Sequence, residues 1–182
     1  CQLYPGIDIA LQVTNHSGIV DRLKENLDDL YIMSQLPEHL DIGFQPFLEN
    51  PLVVLAPANH PLAGEKNISL QQLSEEPFIL REPGSGTRTA VQKLFDEQGI
   101  KLKVKLELGS NEAIKQAIAG GLGLSVLSRH TIIPESANPE LTVLDVEYFP
   151  IERNWYMVYP AGKQMSVVAR TYFEYLLNAA QQ

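Results

Sequence analysis

The sequence predicts an α/β protein built as two lobes, and three observations carry that prediction. Apolar residues recur with strand and helix periods in near-regular alternation along the chain. An early segment reads strand, helix, strand, the spacing of a βαβ unit with a parallel sheet. Proline and glycine punctuation near 57–64 and 147–153 divides the 182 residues, so that residues 58–150 make one lobe and residues 1–57 plus 151–182 the other. Two chain crossings between lobes form a natural pair of hinges.

Each element follows from its residues. Ile7, Ile9, Leu11 and Val13 alternate with polar or small residues after Pro5-Gly6, which predicts a strand. Asn15-His16-Ser17 supplies capping side chains, and Ile19, Val20, Leu23 and Leu27 follow at helical spacing. Asp29–Met33 is a short apolar run ending at Ser34, a second strand. Leu40–Leu48 and Leu52–Ala56 are extended and broken by Asn50-Pro51. Ser69 with Gln72 is a capping-box pattern opening a short helix to about Leu73. Phe78-Ile79-Leu80 is a buried strand, and Val91, Leu94 and Phe95 face inward on a helix closed near Gly99. Val104, Leu106 and Leu108 form the next strand, with Lys101, Lys103 and Lys105 on its solvated side. Ala113, Ile114, Ala117 and Ile118 line a helix from near Ser110 to Gly120-Gly121. Gly123–Ser128 is a strand, Pro134–Pro139 a loop, Leu141–Val146 extended, and Trp155–Tyr159 the last strand. A final helix from Met165-Ser166 carries Val168, Tyr172, Leu176 and Ala180 on one face.

Composition bounds the function. The chain is 45% hydrophobic and 20% charged, ordinary for a protein that buries a core. Its net charge of -8, without a lysine and arginine cluster, argues against direct nucleic-acid binding. Cys1 stands alone, so no intramolecular disulfide forms, in keeping with a reducing cytoplasm. No apolar run is long enough to span a membrane. The abrupt opening at Cys1–Gly6 reads as a cut within a longer protein.

The candidate chemistry is anion binding. Gly84-Ser85-Gly86-Thr87 lies between a predicted strand and a helix, where glycines admit close approach and helix-start N–H groups attract anions. Arg81 and Arg88 flank it and suit phosphate or carboxylate. Plain N-capping with solvated arginines is the competing reading. No Gly-Lys-Ser/Thr follows, which disfavours nucleotide hydrolysis. Asn15-His16-Ser17 and Gly109-Ser110-Asn111 are two more strand-to-helix junctions; if the two lobes face each other, all three converge on one cleft, with plain N-capping at each as the competing reading. Arg129, after the strand ending at Ser128, is a further anion candidate or a surface arginine. The histidines His16, His39, His60 and His130 lack metal-ligand spacing, so neither metal nor cofactor is expected. No Gly-x-Ser-x-Gly elbow and no paired carboxylates mark a catalytic centre, so the chain is read as no enzyme.

A family resemblance joins these pieces. Asp29–Met33, the Ala58-Asn59-His60-Pro61-Leu62 turn, Leu108–Lys115 and Gly121–Ser128 resemble LysR-type transcriptional regulators across essentially the whole chain. Arg81–Arg88 is similar to the subgroup controlling carbon fixation and bicarbonate uptake. The resemblance implies two Rossmann-like lobes of the type 2 periplasmic-binding-protein kind, with an effector site between them. It implies DNA reading by an N-terminal winged helix-turn-helix absent here, and self-association as dimer or tetramer, with helices 17–27 and 87–98 as candidate contact faces. Effectors of the subgroup are small anionic metabolites such as ribulose 1,5-bisphosphate or 2-phosphoglycolate. By position, the ligand touches Gly84, Ser85, Gly86, Thr87, Arg88, Ser110 and Asn111, with Asn15, His16, Ser17, Met33 and Ser34 contributing. The family opens with a strand and loop that precede Cys1, so the chain is N-terminally truncated relative to it. Two other classes stay open: a periplasmic solute-binding protein for a small anion, and an enzyme on the same two-lobed fold.

Overall fold

The helices begin where the sequence supplies caps, as the computed structural model shows over residues 6–132 and 139–180. Helix α1 (His16–Lys24) starts with the Asn15 side chain accepting from Gly18 N at 3.1 Å. It stops sooner than the apolar spacing predicts: Asn26 takes φ 52 and Leu27 is 54% exposed. Helix α2 (Leu70–Ser74) has Ser69 accepting from Gln72 N at 3.1 Å, but the Gln72 amide turns away to Glu65, so only half of the capping box forms. Helix α3 (Gly86–Glu97) buries Thr87, Val91 and Phe95 and ends before Gly99, whose φ of 67 suits glycine. Helix α4 (Asn111–Ala119) buries Ile114, Ala117 and Ile118, while Ala113 faces solvent. Helix α5 (Val167–Ala179) is capped by Ser166 and buries Ala169. Tyr172, Leu176 and Ala180 of the expected face are half-buried, whereas Val168 is exposed and Phe173 packs edge-on against Tyr159.

The strands are β1 (Tyr31–Met33), β2 (Ile42–Glu49), β3 (Leu52–Pro57), β4 (Pro77–Arg81), β5 (Lys103–Leu108), β6 (Leu124–Ser128), β7 (Leu141–Leu144) and β8 (Asn154–Pro160). They form a three-stranded sheet ordered β1-β8-β2 and a five-stranded sheet ordered β5-β4-β6-β3-β7. The chain divides into a smaller unit, residues 1–48 with 154–182, and a larger unit, residues 49–153. Punctuation in the sequence puts residues 52–57 with the first lobe and 151–153 with the returning segment. In the structure β3 is fully buried in the larger unit, paired with both β6 and β7, and Leu52 bridges to Ile151. Ladder pairing, which local punctuation does not encode, decides where those residues belong.

The strand predicted over Ile7–Val13 does not form. Those residues pair with no strand among the described residues, and Leu11 and Val13 are 79% and 85% exposed. Alternation makes a strand only when a neighbouring ladder accepts it. The expected parallel βαβ unit is therefore absent: β1 pairs antiparallel with β8, Tyr31 opposite Val158 and Met33 opposite Tyr156. The smaller unit's core gathers Leu23, Tyr31, Met33 and Val158. Tyr31 donates to the Arg22 carbonyl and accepts from Asp28 N, both at 3.0 Å, and burial pushes its phenol up. Arg22 grips Asp28 with two hydrogen bonds and holds that carboxyl below its ordinary range. Cys1–Pro5 and most of the Pro134–Pro139 loop lie outside the described residues.

In the larger unit β4 runs parallel to β5 and β6, whereas β3 runs antiparallel to β6 and β7. The sheet is covered on both faces. Leu52, Val54, Phe78 and Leu80 pack toward α3 through Val91 and Phe95, and Val53, Leu55 and Ile79 pack toward α4 through Ile114 and Ile118. Burial on both faces explains why β3 and β6 read as continuous apolar or small runs rather than as alternation.

Candidate functional site

Parallel strands put their carboxyl ends on one edge, and helices that follow them begin there. In the larger unit that edge collects Arg81 at the end of β4, Leu108 at the end of β5 and Ser128 at the end of β6. Because β3 is antiparallel, its start lies on the same edge and brings Asn50 with it. Arg153 joins through the bridge of Ile151 to Leu52 and its own carbonyl, which accepts from Asn50 N at 2.7 Å.

Side chains cross-link these junctions. Arg81 donates from Nε and Nη2 to Glu82 at 2.8 and 3.0 Å and from Nη1 to Asn111 Oδ1 at 2.8 Å, tying the β4 end to the α4 start. Arg88 donates to the Arg81 carbonyl at 3.1 Å and pairs with Glu107 at 2.8 Å. Gly84 takes φ 85 in the turn closed by Ser85 N donating to Glu82 O at 3.2 Å. Ser85 is buried and makes no side-chain cap to α3, so the capping reading fails for this junction. Thr87 is buried, and its Oγ1 accepts from Arg153 Nη2 at 3.1 Å. At α4 capping does occur, with Ser110 Oγ accepting from Ala113 N at 3.4 Å. Arg129 is exposed on the short turn Arg129–Thr131, and its N donates to the Pro51 carbonyl at 2.9 Å.

The larger unit thus brings Gly84, Ser85, Gly86, Thr87, Arg88, Ser110, Asn111 and Arg129 to one sheet edge. Asn15, His16, Ser17, Met33 and Ser34 belong to the smaller unit, at the α1 start and the β1 end. Two further positions at this edge carry no sequence motif: Asn50 and Arg153. Asn50 is 0% exposed, and its amide fits its neighbours in one orientation, donating to Ser128 Oγ at 2.6 Å and accepting from Arg153 Nε and Nη2 at 3.3 Å each. A polar residue beside Pro51, at a break between two extended runs, was the one available signal. Among the described residues no group of three metal-ligating side chains exists, and no helix is long and apolar enough to cross a membrane.

His16, the first residue of α1, has a buried Nδ1 with no hydrogen-bond partner among the described residues, and burial lowers its pKa from 6.5. The folded chain therefore favours neutral imidazole, and the unfolded chain binds more protons below pH 6.5. Stability falls as pH drops through that window. His16→Gln is expected to flatten the decline in melting temperature between about pH 7 and pH 5. Equal slopes for the two proteins would remove His16 as a cause.

The comparisons with known proteins bear on this geometry. Residues 1–181 match the family model described as the LysR substrate binding domain. The chain is 53% identical over 175 residues to the HTH-type transcriptional activator CmpR of Synechocystis sp., covering 96% of this chain and 58% of that protein. It is 50% identical over 180 residues to the RuBisCO operon transcriptional regulator of Acidithiobacillus ferrooxidans, covering 99% and 58%. The structure of the Synechocystis PCC6803 CcmR regulatory domain in complex with 2-PG matches with a TM-score of 0.96 at 56% identity, covering 100% of this chain and 87% of that one. The chain accordingly spans under two thirds of the length of these curated relatives. Its fold is of the periplasmic-binding-protein-like α/β type found in such regulatory domains. This chain belongs to the LysR substrate-binding domain family.

Proposed function

We propose that this chain is the effector-sensing domain of a cytoplasmic transcriptional regulator of carbon-fixation or inorganic-carbon-uptake genes, and that it binds a small phosphorylated anion without catalysing its conversion. The carrying observation is electrostatic. In a chain of net charge -8, three arginines, Arg81, Arg88 and Arg153, gather at the edge where helices α3 and α4 begin. Glu82 and Glu107 neutralise two of them, and Arg153 adds a positive charge that no carboxylate among the described residues pairs with, so the edge favours an incoming anion. The CcmR regulatory domain in complex with 2-PG supports 2-phosphoglycolate as the first candidate, with ribulose 1,5-bisphosphate as the second. The names of the similar proteins favour regulation over solute transport.

Gly84, Ser85, Gly86, Thr87 and Arg88, with Ser110, Asn111 and Arg129, are the proposed contacts in the larger unit. The ligand acts by differential affinity for the conformations of the intact oligomer, whose DNA-reading segment is separate from this chain. Titration calorimetry with 2-phosphoglycolate and ribulose 1,5-bisphosphate tests the proposal. Asn111→Ala removes one amide and releases Arg81 from its 2.8 Å partner. That variant is expected to bind about tenfold more weakly, roughly 1.4 kcal/mol. Absence of heat with either compound, or unchanged affinity in Asn111→Ala, sinks the proposed site. The same titration on Ser17→Ala asks whether the smaller unit contributes.

A further inference from the structure

The three arginines of the edge differ in what neutralises them. Arg81 is paired with Glu82 and Arg88 with Glu107, both at 2.8 Å. Arg153 has no carboxylate partner among the described residues. Its Nε donates to the Asn50 carbonyl at 3.2 Å and its Nη2 to Thr87 Oγ1 at 3.1 Å, and the Asn50 amide oxygen lies 3.3 Å from both nitrogens. All of these acceptors are neutral. Among the described residues no group accepts from Nη1, which carries two N–H donors. Arg153 is half-buried; withdrawal from water, and then the nearby charge of Arg81, pull its pKa down to about 10. It remains a cation at neutral pH, held in place but not compensated.

A purely structural role does not call for this charge. The backbone already joins the two segments, since Asn50 N donates to the Arg153 carbonyl and Leu52 and Ile151 exchange hydrogen bonds at 3.0 Å. A neutral amide side chain has donors enough for Asn50 and Thr87 without the repulsion from Arg81. We propose that Arg153 is the charge-selecting residue of the anion site: its Nη1, beside the Thr87 hydroxyl and near the Arg81 guanidinium, takes a phosphate oxygen, so that a dianionic phosphate is preferred to a monoanionic one. This rests on the reading that the edge binds a small anion. A doubly charged group relieves the repulsion between the two guanidiniums, which a singly charged group does only in part. Arg153 also holds the Asn50 carbonyl just before β3, within the larger unit.

Arg81 is the charge that acts on Arg153; the segments that meet Arg153 also carry Glu82, Arg88 with its partner Glu107, the exposed Glu49, Glu152 and Arg129, and His130, whose Nε2 lies 2.7 Å from the Glu49 carbonyl. Calorimetric titration of the intact protein with 2-phosphoglycolate from pH 5 to pH 8 tests the inference. The phosphate gains its second charge near pH 6, roughly. Native protein is expected to bind about tenfold more tightly at pH 7.5 than at pH 5, and Arg153→Gln about thirtyfold more weakly than native at pH 7.5 with a flat pH profile. Arg153→Lys, which keeps the charge without the planar fork, is expected to lie between them and to retain the pH dependence. His130→Gln keeps the native profile. Arg153→Gln binding as tightly as native, or losing the same factor at both pH values, overturns the role, as does a profile that His130→Gln abolishes. Should Arg153→Gln fail to fold, native affinity in Arg153→Lys overturns it. No heat from native protein at any pH defeats the anion reading itself, a different result from native binding that ignores Arg153.

Discussion

Phe78→Ala is expected to lower the stability of the larger unit by about 3–5 kcal/mol, read as a shift of the urea midpoint followed by far-UV circular dichroism. Phe78 lies in β4, the strand flanked by both β5 and β6, and is 0% exposed. Its ring tilts against Phe95 of α3 at 6.4 Å between centroids, so truncation empties a space lined by the sheet and the helix at once. The site depends on that packing, because α3 is the helix whose first turn carries Thr87 and Arg88. Phe44 offers the comparison. It is 49% exposed and touches Tyr156 edge-on at 5.9 Å. Phe44→Ala is expected to cost less than about 1.5 kcal/mol. Equal effects at the two positions would contradict the description of the core.

Gly123→Ala is expected to cost about 2–4 kcal/mol, again as a midpoint shift, for a reason of space as well as backbone angle. Gly123 has φ 154 and precedes β6 where that strand enters the sheet beside β4. A Cβ there stands 2.5 Å from the Pro77 carbonyl oxygen and 3.0 Å from its carbon. Both are backbone atoms of a central strand and cannot swing aside. Gly99 separates the two causes. Its φ is 67, yet a Cβ there meets nothing within 4 Å. Gly99→Ala therefore carries only the conformational penalty, about 1 kcal/mol. If Gly123→Ala costs no more than Gly99→Ala, the close approach to Pro77 is not the controlling feature.

Much of the architecture was legible residue by residue. Asn15, Ser69, Ser110 and Ser166 each accept from a backbone N–H of the helix they precede, as short polar side chains at such positions do. Val91 with Phe95, and Ile114 with Ile118, face the core because residues four apart share a helix side. The failures are as physical as the successes. Ile7–Val13 alternates well and still forms no strand, since hydrogen-bonding partners come from elsewhere in the chain. Ser85 stands at the N-cap position of α3, yet its buried side chain makes no capping hydrogen bond. The partners that hold Arg88, Glu107 and the Arg81 carbonyl, lie on two strands and could not be read from its neighbours in sequence. Arg153 carried no local motif, and its partners Asn50 and Thr87 are 103 and 66 residues away.

The amino-acid order by itself determined most of the elements, most helix starts and the family, because capping, periodicity and motif strings are interactions between residues a few positions apart. Only the tertiary structure decided that β3 joins the larger sheet, that β1 meets β8 antiparallel, and that Asn50, Thr87, Arg81 and Arg153 stand together. Strand pairing links distant segments through backbone groups that are chemically alike in every residue, so no local pattern names the partner. The charge arrangement of the anion edge follows from that pairing.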